Sequence, residues 1–168
     1  MSTPANTPPV TPPAAPPVTV ADIEAQEARL VLSRFTHEDA WTLGGLLAEL
    51  ARERELPVTV DIHLDDRLVF RSALPGSSVG QDSWIERKRR VVAHYGVSSF
   101  LVGARFRAEG TTFEESSGLA PELYAAHGGS FPITVQGQGI VGTVTVSGLP
   151  QAEDHALAVE ALDRLPRG

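Results

Sequence analysis

The segment from His127 to His155 constrains the fold most, because it prescribes an antiparallel hairpin that leads directly into a helix. Residues 131–136 and 140–147 have the alternating, β-branched composition of strands, and Gly137-Gln138-Gly139 lies between them as a turn. Pro150 then suits the first turn of a final helix. The rest of the chain must therefore complete one sheet and the helices that cover it.

The hydrophobic period changes from helical to strand-like in the first half of the chain. Thr36 precedes Asp39 by three residues, which predicts a helix N-cap, and the apolar stripe over 40–50 ends before Pro57. Alternation over 58–64 then predicts a half-buried strand. The other predicted elements are a helix over 21–34, a strand that returns after an Asp65-Asp66 turn, a helix from a capping box at 83–86 to Gly96, a strand over 97–106, a loop over 109–118 and a short helix over 121–126.

This order of elements predicts an α+β two-layer sandwich, with a mainly antiparallel sheet of about five strands and helices packed on it. Residues 21–168 are predicted to form a single domain. Residues 1–20 hold seven of the 13 prolines and few large apolar side chains, so they are predicted to be a disordered tail. The tail is either a solubilising segment or a docking site for a proline-binding partner.

Composition excludes several classes of function. A net charge of -7 argues against a nucleic-acid partner, and the absence of cysteine excludes disulfides, iron–sulfur clusters and thiolate zinc sites. Histidine or a carboxylate must therefore hold any metal or haem iron. No Gly-x-Ser-x-Gly elbow or His-Glu-x-x-His motif occurs, which disfavours a serine hydrolase and a zinc protease. With no membrane span and no secretory signal in the sequence, a cytoplasmic location is predicted.

Lys88 is the most informative single position. At 100° per residue it lies in the middle of an apolar helix face, between Trp84 and Val92. A lysine there either lines an anion-binding pocket, with a lowered pKa, or belongs to a satisfied buried ion pair or a subunit contact. Arg89 and Arg90 are predicted to point away from this face, into solvent or an interface.

His155 is the second unusual position, because it lies on the inward stripe in the first turn of the last helix. The free amides of a helix N-terminus favour an anion there, although a buried structural histidine is the alternative. Asp154 points about 100° away, so we do not expect it to orient His155. Gly148 and Ser147 at the corner, together with the loop at 128–130, are predicted to supply backbone N–H groups for an anion nest.

Three further motifs occur in the second half of the chain: Gly-Gly-Ser-Phe-Pro-Ile at 128–133, Gly-Thr-Val-Thr-Val-Ser-Gly-Leu-Pro-Gln at 142–151 and Glu-Asp-His at 153–155. Together they resemble the haem-degrading-domain superfamily, which contains HbpS-like and GlcG-like proteins. Upstream, Trp-Ile-Glu-Arg-Lys at 84–88 followed by Ser98-Ser99 resembles a branch long catalogued as an uncharacterised protein family. The resemblance covers residues 35–165 and leaves out the tail.

The resemblance implies an α/β fold with an antiparallel sheet, profilin-like or roadblock-like, that assembles into dimers and larger rings. HbpS-like members bind haem and are linked to its degradation and to oxidative-stress sensing. Fungal members of the uncharacterised branch are linked to tail-anchored-protein delivery, as partners rather than enzymes. No agreed catalytic set carries over. The matching positions are Trp84, Lys88, Gly128, Gly129, Phe131, Pro132, Ser147, Gly148, Asp154 and His155.

The leading hypothesis is a cytosolic homo-oligomer that binds an anionic small molecule, with haem as the ligand that the resemblance implies. Lys88 would meet a ligand carboxylate, and His155 would be a polar or iron contact. The alternatives are a non-catalytic adaptor or assembly protein, and an enzyme that uses Lys88 as a Schiff-base nucleophile. The predicted ligand-binding residues are Trp84, Lys88, Gly128, Gly129, Ser130, Phe131, Ser147, Gly148 and His155.

Overall fold

The protein is built on a four-stranded antiparallel sheet with strand order β2-β1-β4-β3, so that β1 and β4 are central. The computed structural model describes residues 17–167. No helix within that range is long and apolar enough to cross a membrane. The elements in chain order are α1 (Val20–Arg29), α2 (His37–Glu53), β1 (Thr59–Leu64), β2 (Arg67–Ala73), α3 (Gly80–Tyr95), α4 (Ser99–Ala108), α5 (Phe113–Ser116), β3 (Ser130–Val135), β4 (Gly139–Ser147) and α6 (Gln151–Arg164).

Helices cover both faces of the sheet. On one face α2 and α6 pack against Val60, Ile62 and Val144, which belong to the main apolar core. Because side chains alternate along a strand, Thr59 and Asp61 point to the other face, where they are buried beneath α3. The predicted α+β class with an antiparallel sheet is confirmed. The two-layer arrangement is wrong, since β1 is buried on both sides and not half-buried.

The predicted strand over 97–106 is wrong, because this segment forms α4. The Ser98 side chain accepts the backbone N–H of Leu101 at 3.1 Å and so caps the helix. Residues 99–104 are all buried, so the first part of α4 has no exposed face from which a helical period can be recognised. The sheet accordingly has four strands instead of about five.

Several local sequence motifs mark the ends of helices and strands where they were predicted. Thr36 and Asp39 cap each other's backbone N–H groups at the start of α2, as a capping box requires. Gly96 ends α3 with φ +72°. The turn between β1 and β2 lies at Asp65-Asp66, and Asp65 adopts φ +51°.

Other predicted boundaries are wrong. Helix α3 begins at Gly80, three residues before the predicted capping box, and α1 is shorter than the range 21–34. No helix forms over 121–126, whereas the short α5 lies inside the predicted loop over 109–118. The predicted tail falls outside the described residues as far as residue 16, and α1 starts at Val20.

Candidate functional site

A buried ion pair joins α3 to the start of α6. Lys88 Nζ donates to Oδ2 of Asp154 at 3.0 Å and to the carbonyl oxygen of Val146 at 3.0 Å. The two charged side chains are only 4% and 2% exposed. Lys88 therefore lies on a buried helix face, as predicted, and a carboxylate of the same chain balances its charge. Its third N–H has no hydrogen-bond acceptor within residues 17–167.

Desolvation shifts the pKa values of both partners. Burial lowers the pKa of Lys88, and the charge of Asp154 opposes that change. Burial raises the pKa of Asp154, while Lys88 and the backbone N–H groups of Leu149 and Gly148 oppose it. Burial therefore disfavours the charged form of both groups, and the charge of each partner stabilises that of the other.

The corner between β4 and α6 is filled by the protein's own carboxylate. Oδ1 of Asp154 accepts the backbone N–H of Leu149 at 3.0 Å, so this part of the predicted anion nest is already used. Gly148 turns the chain with φ +137°, where a side chain would be strained and would also meet the carbonyl oxygen of Pro57. An external anion at this corner has to approach Lys88 from the side that Asp154 and Val146 do not occupy.

A cavity of about 320 Å³ lies beside the ion pair, between α3 and the N-terminus of α6. This volume is at the lower end of the range of small-molecule sites, roughly 300–1,000 Å³. Four residues predicted from the sequence line it: Trp84, Lys88, Ser147 and Gly148. The other lining side chains include those of Gln81, His127, Gln151 and Asp154.

Trp84 and His127 form the aromatic wall of the cavity, with ring centroids 5.1 Å apart. The Arg87 guanidinium lies 4.4 Å from the Trp84 ring centroid, as in a cation–π contact. Burial lowers the pKa of His127, and the charges of Lys88 and Arg87 act in the same direction against the opposing effect of Glu114. The imidazole is thus neutral at pH 7 and offers a lone pair to a metal or a proton donor.

His127 was not predicted as a ligand-binding residue. Because it lies in the loop before β3, no helical or strand periodicity marks it as a site residue. The one signal in the sequence is its position directly before Gly128-Gly129, the first glycines of the superfamily motif.

The structure does not place His155 in this cavity. Its Nε2 lies 2.7 Å from Oε1 of Gln26 in α1, and its ring packs against Phe100 and Phe131. Burial lowers the pKa of His155 to about 4, so the ring is neutral. The helical angle explains the separation: Asp154 points to the cavity, and the next residue is rotated by about 100°, toward α1.

Ser130 and Phe131 also lie away from the cavity wall. The backbone N–H of Ser130 donates to Oγ of Ser99 at 3.1 Å, and its hydroxyl lies 3.0 Å from that of Thr145. Phe131 is 2% exposed and belongs to the main core. These two side chains therefore support β3 from inside the fold.

Gly128 allows the backbone to approach the start of α6 closely, and Gly129 allows it to approach the ion pair. The N–H of Gly128 donates to Oε1 of Gln151 at 3.1 Å. Gly129 has φ +139°, and a Cβ at this position would lie 2.8 Å from Nζ of Lys88. Gly129 thus makes space beside the lysine, Gly128 allows close contact with Gln151, and neither of the two lines the cavity.

The motif residues described above occur within a recognised family. The family model of the haem-degrading HbpS-like proteins matches residues 35–163. The chain belongs to the HbpS-like family. The UPF0303 protein SCO2848 of Streptomyces coelicolor is 67% identical over 146 residues, which are 87% of this chain and 92% of that protein. A UPF0303 protein of Azotobacter vinelandii is 46% identical over 140 residues, or 83% and 84% of the two chains.

Several solved structures have a similar fold. The Ybr137w protein is 34% identical, with a TM-score of 0.79 and coverage of 86% of both chains. HbpS is 18% identical with a TM-score of 0.62, covering 79% of this chain and 91% of its own. The PduOC complex with haem is 17% identical with a TM-score of 0.64, covering 80% and 96%. The last two share the fold alone. The resemblance found in the sequence, to the superfamily and to its uncharacterised branch, is confirmed.

Proposed function

We propose that this protein binds a small anionic ligand of the tetrapyrrole class in the cavity beside Lys88 and Asp154. The observation that carries the proposal is that a buried ammonium, a neutral imidazole and an indole line one space. A planar ring can pack on Trp84, and a ligand carboxylate can accept the remaining N–H of Lys88. Haem is the first ligand to test, because PduOC shares this fold in its haem complex.

His127 is the histidine whose surroundings fit a haem iron. It lines the cavity, its side chain is 42% exposed, and its lowered pKa leaves a nitrogen lone pair free at pH 7. His155 does not fit, since it is 2% exposed and its Nε2 is engaged by Gln26. Haem would supply redox-active iron, while the chain would supply a nitrogen from His127 and a cation from Lys88.

Titration of the full-length protein with haem, followed by the Soret absorption band, tests this proposal. We expect saturable binding of one haem per chain at micromolar concentration. His127→Ala should shift the Soret band and weaken binding about tenfold, which corresponds to about 1.4 kcal/mol. His155→Ala should leave the band where it is, because that ring lies on the other side of α6.

His94→Ala is the matched surface control, because His94 is exposed and does not line the cavity. Protoporphyrin without iron separates the two interactions: its affinity should depend on Lys88 and not on His127. Absence of specific haem binding at micromolar concentration contradicts the haem proposal, as does binding that no cavity variant changes.

A non-catalytic adaptor or assembly protein is the second candidate function. The observation that favours it is the ion pair, because Asp154 already neutralises Lys88 and no ligand is needed to balance its charge. In that case no cavity variant would alter the binding of a small molecule. Under either candidate we propose a cytoplasmic homo-oligomer in which residues 21–168 form one domain.

The third and weaker candidate is an enzyme that uses Lys88 as a Schiff-base nucleophile. Lys88 is the chain's single lysine, and burial lowers its pKa beside the cavity. A Schiff base with a carbonyl metabolite would be reduced by borohydride to a stable adduct on Lys88. Peptide mass mapping after borohydride treatment with a panel of carbonyl metabolites would detect that adduct, and Lys88→Met would abolish it.

A further inference from the structure

A second polar cluster lies between β1 and α3, apart from the cavity. Asp61 and His63 project from alternate positions of β1 toward α3, and Glu86 approaches them from that helix. One ligand atom from each of the three residues lies within 4.8 Å of the other two. None of the three lines the cavity beside Lys88.

Two buried atoms of this cluster have no hydrogen-bond partner within residues 17–167. They are Oδ1 of Asp61 and Nδ1 of His63, on side chains that are 0% and 5% exposed. Leaving a buried polar atom unpaired costs about 1–3 kcal/mol, so such atoms are rare in folded proteins. Two of them side by side indicate a partner that is not a protein group.

The separation of these atoms fits two ligands of one metal ion. Nδ1 of His63 lies 3.6 Å from Oδ1 of Asp61, which is too long for a hydrogen bond. Two ligand atoms about 2.1 Å from a shared ion lie about 3.6 Å apart when they subtend roughly 120° at it. A cation between the two side chains would therefore satisfy both atoms.

Two arginines hold the outer oxygens of the carboxylates. Nη2 of Arg71 donates to Oδ2 of Asp61 at 2.8 Å, and Nη2 of Arg89 donates to Oε2 of Glu86 at 3.1 Å. Partners of this kind orient metal-binding carboxylates and leave the inner oxygens free. Their positive charges also oppose a cation, so we expect micromolar affinity and not the tighter binding of an all-anionic site.

We propose that Asp61, His63 and Glu86 bind a divalent first-row transition ion such as Zn²⁺ or Mn²⁺. One imidazole with two carboxylates is a mixed nitrogen and oxygen set, which suits these ions better than the all-oxygen sites of Ca²⁺ or Mg²⁺. Glu86 is 35% exposed and gives the ion access from solvent. Three protein ligands leave coordination positions for water.

Calorimetric titration of the EDTA-treated, dialysed full-length protein with Zn²⁺ tests the site. We expect one ion per chain at pH 7, and a Co²⁺ titration should give the absorption of a nitrogen- and oxygen-ligated ion. His63→Gln and Asp61→Asn should each weaken Zn²⁺ binding at least tenfold. His94→Gln is the control, because it removes an exposed histidine outside the cluster and should leave the affinity unchanged.

Glu86→Gln keeps the test decisive if the variants of β1 fail to fold. This residue lies on the outer part of α3, so its variant should melt like the wild type in EDTA and still lose at least tenfold in affinity. A wild-type dissociation constant above about 1 mM overturns the proposal. Unchanged affinity in variants that fold, as judged by circular dichroism, also overturns it. Because only the metal is used, the outcome is independent of haem binding.

Discussion

At the residue scale, Lys88 and Asp154 depend on each other because both side chains are almost completely buried. Lys88→Met leaves a buried carboxylate, and Asp154→Asn leaves a buried ammonium. We expect each single variant to lower the free energy of unfolding by about 3–5 kcal/mol. Urea denaturation at pH 7, followed by circular dichroism, measures the loss.

The double variant distinguishes this pair from two independent contacts. Removing both charges leaves no uncompensated ion, so its loss should be smaller than the sum of the single losses by at least about 1 kcal/mol. Arg52→Met, which removes an exposed charge from α2, should change stability by less than about 0.5 kcal/mol. Strictly additive losses would show that the pair is not coupled.

His155 should make the fold sensitive to acid. In the folded protein burial lowers its pKa to about 4, from about 6.5 for an exposed histidine, so the unfolded chain takes up a proton first as the pH falls. Its contribution is complete above pH 6.5 and is lost progressively toward pH 4, by an amount on the order of 3 kcal/mol. Urea midpoints between pH 7 and pH 4 should fall more steeply for the wild type than for His155→Gln. Equal slopes would mean that His155 does not titrate differently on folding.

At the element scale, helical spacing predicted that Lys88 is buried, but it did not identify the residues that surround Lys88. Its partner Asp154 lies 66 residues further on, and no local pattern links the two. The same spacing placed Trp84 on the buried face, whereas it is 36% exposed at the cavity. Neighbouring residues on α6 point about 100° apart, so Asp154 contacts Lys88 whereas His155 contacts Gln26 of α1. Hydrophobic periodicity thus shows which side chains share one face of a helix, whereas tertiary packing decides which faces come into contact.

Helix α4 shows the converse case, in which a polar residue carries more information than the apolar pattern. Besides capping α4, the Ser98 hydroxyl donates to Oε2 of Glu27 at 3.3 Å, and its backbone N–H donates to Oε1 at 2.9 Å. This double contact docks α1 on α4. The capping serine was visible in the sequence, but the apolar run over 100–102 favoured a strand.

Ser98→Ala should therefore loosen two helices at once. We expect it to lower the free energy of unfolding by about 1–2 kcal/mol, since it removes an N-cap and a hydrogen bond to a half-buried carboxylate. Thr112→Ala, at the cap of the four-residue α5, is the matched control and should cost less because it holds no second element. Thermal melts of both variants give the comparison, and an equal loss in the two would contradict a docking role for Ser98.

At the scale of the whole molecule, both proposed sites use the face of the sheet that α3 covers. That face carries polar side chains on its central strands, among them Thr59, Asp61, His63, Thr145 and Ser147, all of them buried. The opposite face packs an apolar core against α2 and α6. The apolar face of the sheet therefore serves stability, and the polar face beneath α3 serves binding. The cavity and the proposed metal site would then respond independently to mutation.

Native mass spectrometry of the protein purified from cells tests how ligand binding relates to assembly. We expect the wild type to form particles that are multiples of its 17.9 kDa chain and that retain a bound small molecule. Lys88→Met should keep the same number of chains, because both hydrogen-bond acceptors of Lys88 lie in its own chain, but should lose the bound molecule. A variant that falls to single chains would instead assign Lys88 to assembly and favour the adaptor function. A wild-type mass of one chain would contradict the predicted homo-oligomer.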